Sequence, residues 1–351
     1  MKNLIVILLI FGIIISSGLV FAEENSNPVI WKYKTSSWAT AVKTTQDGNF
    51  NAASSIDGSF YFLDKAGSLL WKQNLGKRIT SVVFSDDMSK VFTVVGERVY
   101  LFSTSGTELN NYKSVQGGFL TITPDGNYIG GSSSNVYAMV YKDARPSWDY
   151  KTEGKVNDVS ITPDGQTLAV ASSDNHVYLL RSGLLMWKSD LKMPVISVAV
   201  TPDSSYLVCG TGTLESDKDN TQNDYRVFLF DNQGKLIWSQ KIGYTVSSVS
   251  ITPDGSHIAV GSWDNKVHIF SNSGEHLKEF KTDGKVWSVS ITPDGKNALA
   301  GSIDTYIYFL DVESMSKPEK SSSFNTVYLA ISLLIVLAVG TLIYTKKFKK
   351  K

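Results

Sequence analysis

The sequence predicts an all-β protein: a seven-bladed β-propeller of four-stranded antiparallel blades, closed by its N-terminal strand, plus one C-terminal transmembrane helix. Three observations predict it: a repeated motif, two-residue alternation within each repeat, and an apolar segment at each end of the 351-residue chain. The motif is Ile-Thr-Pro-Asp-Gly with variants, and its aspartate recurs at Asp47, Asp87, Asp125, Asp164, Asp203, Asp254 and Asp294. A period of about 40 residues with strand-like content is typical of propellers.

The unit around Asp254 shows the pattern within one repeat. Residues Val246 to Ile251 alternate between apolar and small polar side chains, which predicts a first strand, a. Thr252 to Gly255 suits a type I turn, because proline presets φ at its second position and glycine closes it. Asp264-Asn265 suits a tight hairpin, since both residues tolerate positive φ. The predicted strands b, c and d are His257–Ser262, Lys266–Phe270 and His276–Phe280.

The ends of the repeat array predict how the ring closes. A first copy of strand d, Val29 to Tyr33, precedes every strand a, whereas the last repeat stops after its strand c at Tyr306 to Asp311. The N-terminal strand should therefore complete the seventh blade. This closure removes the two free sheet edges that an open array would expose.

The chain ends predict a single-pass cell-membrane protein with its propeller outside. Residues 1–22 read as a signal peptide cleaved after Ala22, although an uncleaved anchor remains an alternative. Residues 324–344 are apolar and long enough to cross a bilayer. The lysine-rich tail, 345–351, should stay in the cytoplasm. The propeller would then occupy residues 23–313, followed by a short polar linker at 314–323.

Composition narrows the function classes. A formal net charge of +1 leaves no excess of basic residues for a nucleic-acid-binding face, so no nucleic-acid partner is expected. The single cysteine, Cys209, has no partner for an intramolecular disulfide. It lies in an apolar run, which favours a packed core residue over a reactive thiol.

Two known repeat types resemble the units between about residues 28 and 312. Segments such as Val286 to Gly295 are similar to WD-repeat blades. Segments such as Asp57 to Asp64, followed by Gly67 to Trp71, resemble the quinoprotein-type (pyrroloquinoline quinone-like) repeat of prokaryotic cell-surface proteins. The tryptophan of that repeat is present at Trp31, Trp71, Trp148, Trp187 and Trp238, and it is replaced at Asn110 and Lys278. The resemblance implies a propeller.

Two departures limit what the resemblance implies. WD repeats pair a Gly-His dipeptide before strand a with an aspartate in the b–c turn, and no histidine precedes a strand a here. The corresponding aspartates are therefore interpreted as turn formers. They are Asp57, Asp174, Asp264 and Asp304. Many quinoproteins carry an adjacent cysteine pair, which Cys209 alone cannot form, so no redox cofactor is expected.

No catalytic or metal-binding motif stands out. The sequence has no nucleophile elbow, phosphate loop or paired catalytic carboxylates. The four histidines show no metal-ligand spacing and are interpreted as residues of different blades. They are His176, His257, His268 and His276. Neither an enzyme nor a metal or cofactor site is predicted.

Three tryptophans do not follow the repeat and point to a binding surface. Trp38 precedes the first strand a, Trp263 lies in the b–c turn of the sixth unit, and Trp287 opens the seventh strand a. Loops d–a and b–c emerge on one face, and these blades are neighbours once the ring closes. An aromatic patch at the channel mouth is therefore predicted. Asp158, near the axis where other units have serine, is either a ligand group or a water-exposed charge.

The only large insertion is expected on the same face. The b–c loop of the fifth unit, roughly residues 210–225, accounts for the one long gap between repeats. Its acidic members are Glu215, Asp217, Asp219 and Asp224. Long loops on rigid scaffolds often carry function, although a solvated insertion or a calcium site are alternatives.

These features favour a non-catalytic cell-surface binding or scaffolding module that docks a protein, peptide or glycan. A sensor acting through a membrane partner is the first alternative, because the basic tail is too short for an output domain. A quinoprotein-like or hydrolytic propeller enzyme is the second.

Overall fold

The computed structural model describes residues 27–113, 120–133, 136–142, 145–213 and 224–318. Within them, 28 strands form seven four-stranded antiparallel sheets, which confirms the predicted seven-bladed propeller. The predicted signal peptide, transmembrane segment and basic tail lie outside the described residues. Among the residues described, no helix is long and apolar enough to cross a membrane.

The strands follow the predicted a-to-d order from the axis outward in every blade. The closing strand and blades 1 to 3 comprise β1 Val29–Lys34; β2 Ala39–Thr44, β3 Phe50–Ser55, β4 Ser59–Asp64, β5 Leu69–Asn74; β6 Ile79–Phe84, β7 Lys90–Val95, β8 Arg98–Ser103, β9 Glu108–Lys113; β10 Leu120–Ile122, β11 Tyr128–Ser133, β12 Tyr137–Lys142 and β13 Arg145–Lys151. Blades 4 to 7 comprise β14 Val156–Ile161, β15 Thr167–Ser172, β16 His176–Arg181, β17 Leu184–Asp190; β18 Val195–Val200, β19 Tyr206–Thr211, β20 Arg226–Asp231, β21 Leu236–Lys241; β22 Val246–Ile251, β23 His257–Ser262, β24 Lys266–Ser271, β25 His276–Lys281; β26 Val286–Ile291, β27 Asn297–Ser302 and β28 Tyr306–Asp311.

The N-terminal strand closes the ring as predicted. Strand β1 pairs antiparallel with β28, with Trp31 opposite Phe309 and Tyr33 opposite Ile307. The seventh sheet has the order β1-β28-β27-β26. The first and last strands of the array pair in this one sheet, so the seventh blade has its full set of four strands.

The repeated turn has the predicted geometry. In the unit of Asp254, the amide of Gly255 donates to the carbonyl of Thr252 at 2.9 Å. The Thr252 hydroxyl and the Ser256 amide both donate to the Asp254 carboxylate, at 2.6 and 3.0 Å. Gly255 has φ +72°, where a Cβ atom is disfavoured. Threonine, aspartate and glycine therefore recur because each supplies one part of this turn.

The repeat tryptophans lock neighbouring blades together. Trp238, on the outer strand of blade 5, donates its indole N–H to the Asn272 carbonyl of blade 6 at 2.9 Å, and its ring lies against Gly274. A Cβ built on Gly274 would lie 2.7 Å from Cγ of that ring. Trp31, Trp71 and Trp187 make the same indole-to-carbonyl bond across their own seams. These rings therefore pack between neighbouring blades.

Small hydroxyl side chains link the innermost strands around the channel. The Ser248 hydroxyl of blade 6 accepts a bond from the Val289 amide of blade 7 at 3.1 Å. The Ser288 hydroxyl accepts in turn from the Val42 amide of blade 1 at 3.2 Å. Each serine thereby satisfies an edge amide that no further strand pairs.

Two side chains outside this pattern bear on the predictions. Cys209 is fully buried in the core between blades 4 and 5, as expected, and burial raises the pKa of its thiol. Met315, assigned to the linker from sequence, is only 2% exposed and packs with the core of blade 7. The Glu279 amide donates to the Ser316 carbonyl, so the compact body extends to Ser316.

Candidate functional site

The structure brings together the three tryptophans that depart from the repeat. The ring centroids of Trp38 and Trp287 are 6.4 Å apart, and those of Trp263 and Trp287 are 6.0 Å apart. Their loops come from blades 1, 6 and 7, so the contact depends on ring closure. The predicted convergence at the channel mouth is present in the described residues.

The aromatic row continues beyond these three rings. Tyr244 lies 6.3 Å from Trp263, and Tyr225 lies 5.2 Å from Tyr244, both with stacked geometry. Sequence reasoning missed these two tyrosines. Their position was the available clue, because Tyr244 lies in a d–a loop and Tyr225 ends the inserted b–c loop, both on the mouth face.

Two cations lie over the tryptophan rings. The Lys285 ammonium is 4.6 Å from the Trp263 ring centroid, and the Arg78 guanidinium carbon is 5.3 Å from that of Trp287. Cations over indole faces are attracted by the ring quadrupole. The mouth therefore combines aromatic area with positive charge, a feature that the tryptophan pattern alone did not reveal.

The three tryptophans differ in exposure. Trp38 is 43% exposed, Trp287 is half-buried, and Trp263 is only 8% exposed. The Trp263 indole nitrogen is buried without a hydrogen-bond acceptor. An unsatisfied buried donor costs about 1–3 kcal/mol, a cost that the folded protein carries at this position. Trp263 therefore forms the floor of the patch rather than part of its exposed face.

A cavity of about 410 Å³ leads from this floor into the channel. Its lining includes Arg78, Lys155, Asn157, Asp158, Trp263 and Trp287. The aromatic mouth and Asp158 thus belong to one continuous space, which joins two predictions that the sequence treated separately.

Asp158 occupies the serine position of the inner strands and forms the same bond between blades. Its Oδ2 accepts from the Ser197 hydroxyl and from the Val198 amide, both at 3.0 Å. Burial raises the pKa of this carboxyl to about 6, against the opposing effect of these hydrogen bonds. Asp158 therefore combines a structural bond with an ionisable group on the channel wall.

The inserted loop is described only at its two ends. The Thr213 amide donates to the Thr245 hydroxyl at 3.1 Å, beside the aromatic row. Asp224 accepts from Arg226 Nε at 2.7 Å. Glu215, Asp217 and Asp219 lie outside the described residues, so the calcium alternative stays a prediction.

The assignment of the histidines to different blades was wrong. His257, His268 and His276 lie on β23, β24 and β25 of the same blade, and only His176 belongs to another. His268 Nδ1 is 3.2 Å from His276 Nε2. The strands predicted for the unit of Asp254 already placed these three histidines in one blade, and the interpretation overlooked that antiparallel pairing of its strands c and d would bring His268 and His276 together.

The aspartates of the b–c turns do form turns, but that interpretation was incomplete. Asp304 accepts from the Tyr306 amide within the turn at 2.9 Å, and from the Tyr308 hydroxyl of strand c at 2.8 Å. Asp174 accepts similarly from the Tyr178 hydroxyl at 2.7 Å. In blade 6 the equivalent partner of Asp264 is His268. These carboxylates therefore tie each turn to the next strand.

Comparison with known proteins supports this architecture. The WD40 family model (WD domain, G-beta repeat) matches residues 147–179, 235–271 and 274–311. No curated protein sequence matches the chain. Among solved structures, the crystal structure of the β-propeller domain of Cps50 (Swd1) from Myceliophteria thermophila is similar, with a TM-score of 0.66 and 14% identity over 81% of this chain and 99% of that one. At this identity the likeness shows the fold alone, and together these findings describe a seven-bladed β-propeller that contains WD40-type repeats.

Proposed function

We propose that this protein is a non-catalytic binding scaffold, which docks a segment of a partner protein at the aromatic mouth of its channel. The observation that carries the proposal is the convergence of Trp38, Trp263 and Trp287 at the channel mouth, with Arg78 and Lys285 over the indole rings. Propellers that carry WD40 repeats are suited to binding proteins or peptides.

The chemistry of the mouth favours an acidic peptide with an aromatic or apolar side chain. Trp38 and Trp287 offer ring faces on which such a side chain can stack. Arg78 and Lys285 at the same mouth would favour negative charge on the partner. Aromatic and arginine residues around a desolvated pocket are the usual composition of a binding hot spot.

We further propose that the scaffold is held at the cell surface by residues 324–344, with residues 1–22 as its export signal and 345–351 inside the cell. The apolar length of residues 324–344 and the lysines that follow them support this arrangement. Strand β28 ends at Asp311 on the face of the c–d turns, whereas the mouth is formed by the opposite, d–a and b–c, loops. After Asp311 the chain stays on the propeller body as far as Ser316, whose carbonyl accepts from the Glu279 amide on the outer strand of blade 6.

Site-specific photo-crosslinking in the full-length chain tests the docking proposal. A photoreactive phenylalanine analogue replaces Trp38, and the control replaces Leu184, which is 71% exposed on the outer strand of blade 4. We expect a discrete partner adduct from position 38 and none from position 184. Equal labelling from both positions would contradict a site at the mouth.

A binding measurement with defined probes separates the classes of partner. An acidic, tryptophan-containing peptide selected from a displayed library serves as the probe. We expect Trp38→Ala and Trp287→Ala to weaken its binding at least tenfold, and Leu184→Ala to leave it unchanged. Trp263→Ala is a poor test, because removing a buried indole also destabilises the fold. Binding to a glycan array without any peptide binding would overturn the protein-docking proposal.

A further inference from the structure

Three metal-ligand side chains converge on the outer strands of blade 6. His268 lies on β24, and His276 and Glu279 lie on β25. His268 Nδ1 is 3.2 Å from His276 Nε2 and 4.0 Å from Glu279 Oε2. One ligand atom from each of the three residues lies within 4.8 Å of the others. The Asp264–His268 contact takes the place of the aspartate–tyrosine bond of other blades, and His276 and Glu279 add two further ligand groups to it.

A neighbouring carboxylate orients the first of these ligands. His268 Nε2 lies 2.9 Å from Asp264 Oδ2, and the ring is only 5% exposed. A carboxylate acceptor places the imidazole proton on Nε2, which leaves the Nδ1 lone pair directed at His276 and Glu279. Histidine ligands of metals characteristically donate their other ring N–H to a carboxylate in this way.

The other two ligands are also held in place. The His276 ring stacks on Phe270 with centroids 4.5 Å apart. Glu279 Oε1 accepts from Lys266 Nζ at 2.7 Å, which leaves Oε2 as the oxygen nearest His268. The Glu279 backbone is fixed by its bond to Ser316. The ligand atoms therefore belong to side chains with defined orientations.

We propose that His268, His276 and Glu279 form a binding site for a divalent transition metal of the zinc class. Two imidazole nitrogens and one carboxylate oxygen are a known ligand set for zinc, with a fourth position left for water. Zinc–nitrogen bonds of about 2.0–2.1 Å place tetrahedral ligands roughly 3.3 Å apart, close to the separation of the two histidine nitrogens. On binding, His276 shifts its proton from Nε2 to Nδ1, so that both imidazoles remain neutral.

A bound ion would connect strands c and d of blade 6. Because the ligands come from β24 and β25, coordination would cross-link the outer strand to its neighbour. A ligand that binds only the folded state stabilises it by mass action. The alternative is a plain hydrogen bond between His268 and His276, in which His276 Nε2–H donates to Nδ1 and no metal is needed.

Titration of the purified full-length chain with zinc chloride after chelator treatment tests the site. We expect one zinc ion per chain by calorimetry and elemental analysis, a higher melting temperature with zinc, and visible absorption typical of tetrahedral cobalt when Co²⁺ replaces zinc. His276→Ala and the near-isosteric Glu279→Gln should each weaken zinc binding at least tenfold. Asp264→Asn, which removes the carboxylate that orients His268, should weaken it by about ten- to a hundredfold.

His176→Ala is the matched control, because His176 also lies beside a turn aspartate, Asp174, but in blade 4. It should bind zinc as the unaltered chain does. Circular dichroism shows whether each variant is folded. If His276→Ala fails to fold, the folded Glu279→Gln variant still tests the site. Absence of one-to-one binding in the unaltered chain, or unchanged binding in folded His276→Ala, would overturn the proposal and leave the hydrogen-bonded pair.

Discussion

At the scale of single residues, Asp158 shows how one substitution in a repeat adds a property without changing the fold. It fills the position at which other inner strands use serine, and like them it accepts an amide from the next blade, here that of Val198. The carboxylate replaces a hydroxyl as the acceptor in the bond between blades. Unlike serine, it can also change charge inside the channel.

The ionisation of Asp158 predicts a specific pH dependence. Burial raises its pKa to about 6, whereas an unfolded aspartate titrates near 3.9. The folded state therefore holds the Asp158 proton more tightly than the unfolded state does. The stability that the protonated carboxyl contributes is lost as pH rises from about 4 through about 6. Asp158→Asn keeps a hydrogen-bond acceptor but cannot ionise. We expect it to be about 1–2 kcal/mol more stable at pH 8, after allowance for partial solvent screening, and equal to the original near pH 4.

Urea denaturation across this pH range measures the effect. Asp254→Asn provides a control of opposite sign, because bonds from the Thr252 hydroxyl and the Ser256 amide lower the pKa of Asp254 to about 2. The carboxylate of Asp254 stabilises the fold above about pH 4, so its replacement should cost stability at neutral pH, and the loss should fade as pH falls toward 2. If the stability difference between Asp158→Asn and the unaltered chain did not change with pH, Asp158 would not be the group with the raised pKa.

At the scale of elements, the seams between blades depend on a pair formed by two different repeats. The tryptophan of one strand d packs on the glycine of the next c–d turn, as Trp238 does on Gly274. The glycine is required for two reasons: its φ of +85° and the absence of space for a Cβ. The tryptophan and the glycine therefore recur from repeat to repeat because they contact each other across the seam, and the glycine recurs also because the turn needs it.

Two glycine substitutions separate these reasons. Gly76 has φ +73° but no atom within 4 Å of the position that a Cβ would take, whereas Gly274 has both the positive φ and the clash. Alanine at either position costs about 1–2 kcal/mol for the left-handed backbone. Gly274→Ala should lose about a further 1–3 kcal/mol through overpacking against Trp238. Thermal and urea unfolding of both variants measure the difference, and equal losses would show that the indole contact adds nothing.

At the scale of the whole molecule, ring closure determines where the ends of the propeller lie. Strand β1 and strand β28 are adjacent although they are at opposite ends of the repeat array. Strand β1 begins and strand β28 ends on the c–d side of blade 7, and the chain then runs along the body to Ser316, beside Glu279 of blade 6. We propose that residues 324–344 tether this closed ring to the membrane.

Fractionation of cells tests that arrangement. The full-length chain should remain in the membrane pellet after an alkaline wash, and a chain ending after Pro318 should be released as a folded soluble propeller. A variant that keeps residues 324–344 but replaces the lysines of 345–351 with glutamate is the matched control. It should still pellet but lose its uniform orientation in a protease-accessibility assay. Recovery of the full-length chain in the soluble fraction would contradict the anchor.

Much of the fold was predictable because its determinants are local. The Thr-Pro-Asp-Gly turn, the alternation within Val246–Ile251 and the seven-fold count each depend on residues close together in sequence. Closure was also predictable, because the array begins with an extra strand d and its last repeat lacks one, so the first strand can complete the last blade. The meeting of Trp38, Trp263 and Trp287 then followed from the order of the blades.

The sequence by itself therefore determined the architecture, the ring seam and the face on which the irregular tryptophans lie. Only the tertiary structure decided that Trp263 is a buried floor, that Lys285 and Arg78 lie over the rings, and that the ligand atoms of His268, His276 and Glu279 converge. The physical reason is the range of the interactions. Turns and strand alternation are set by neighbours along the chain, whereas burial and side-chain convergence depend on registers and rotamers across strands that no local pattern specifies.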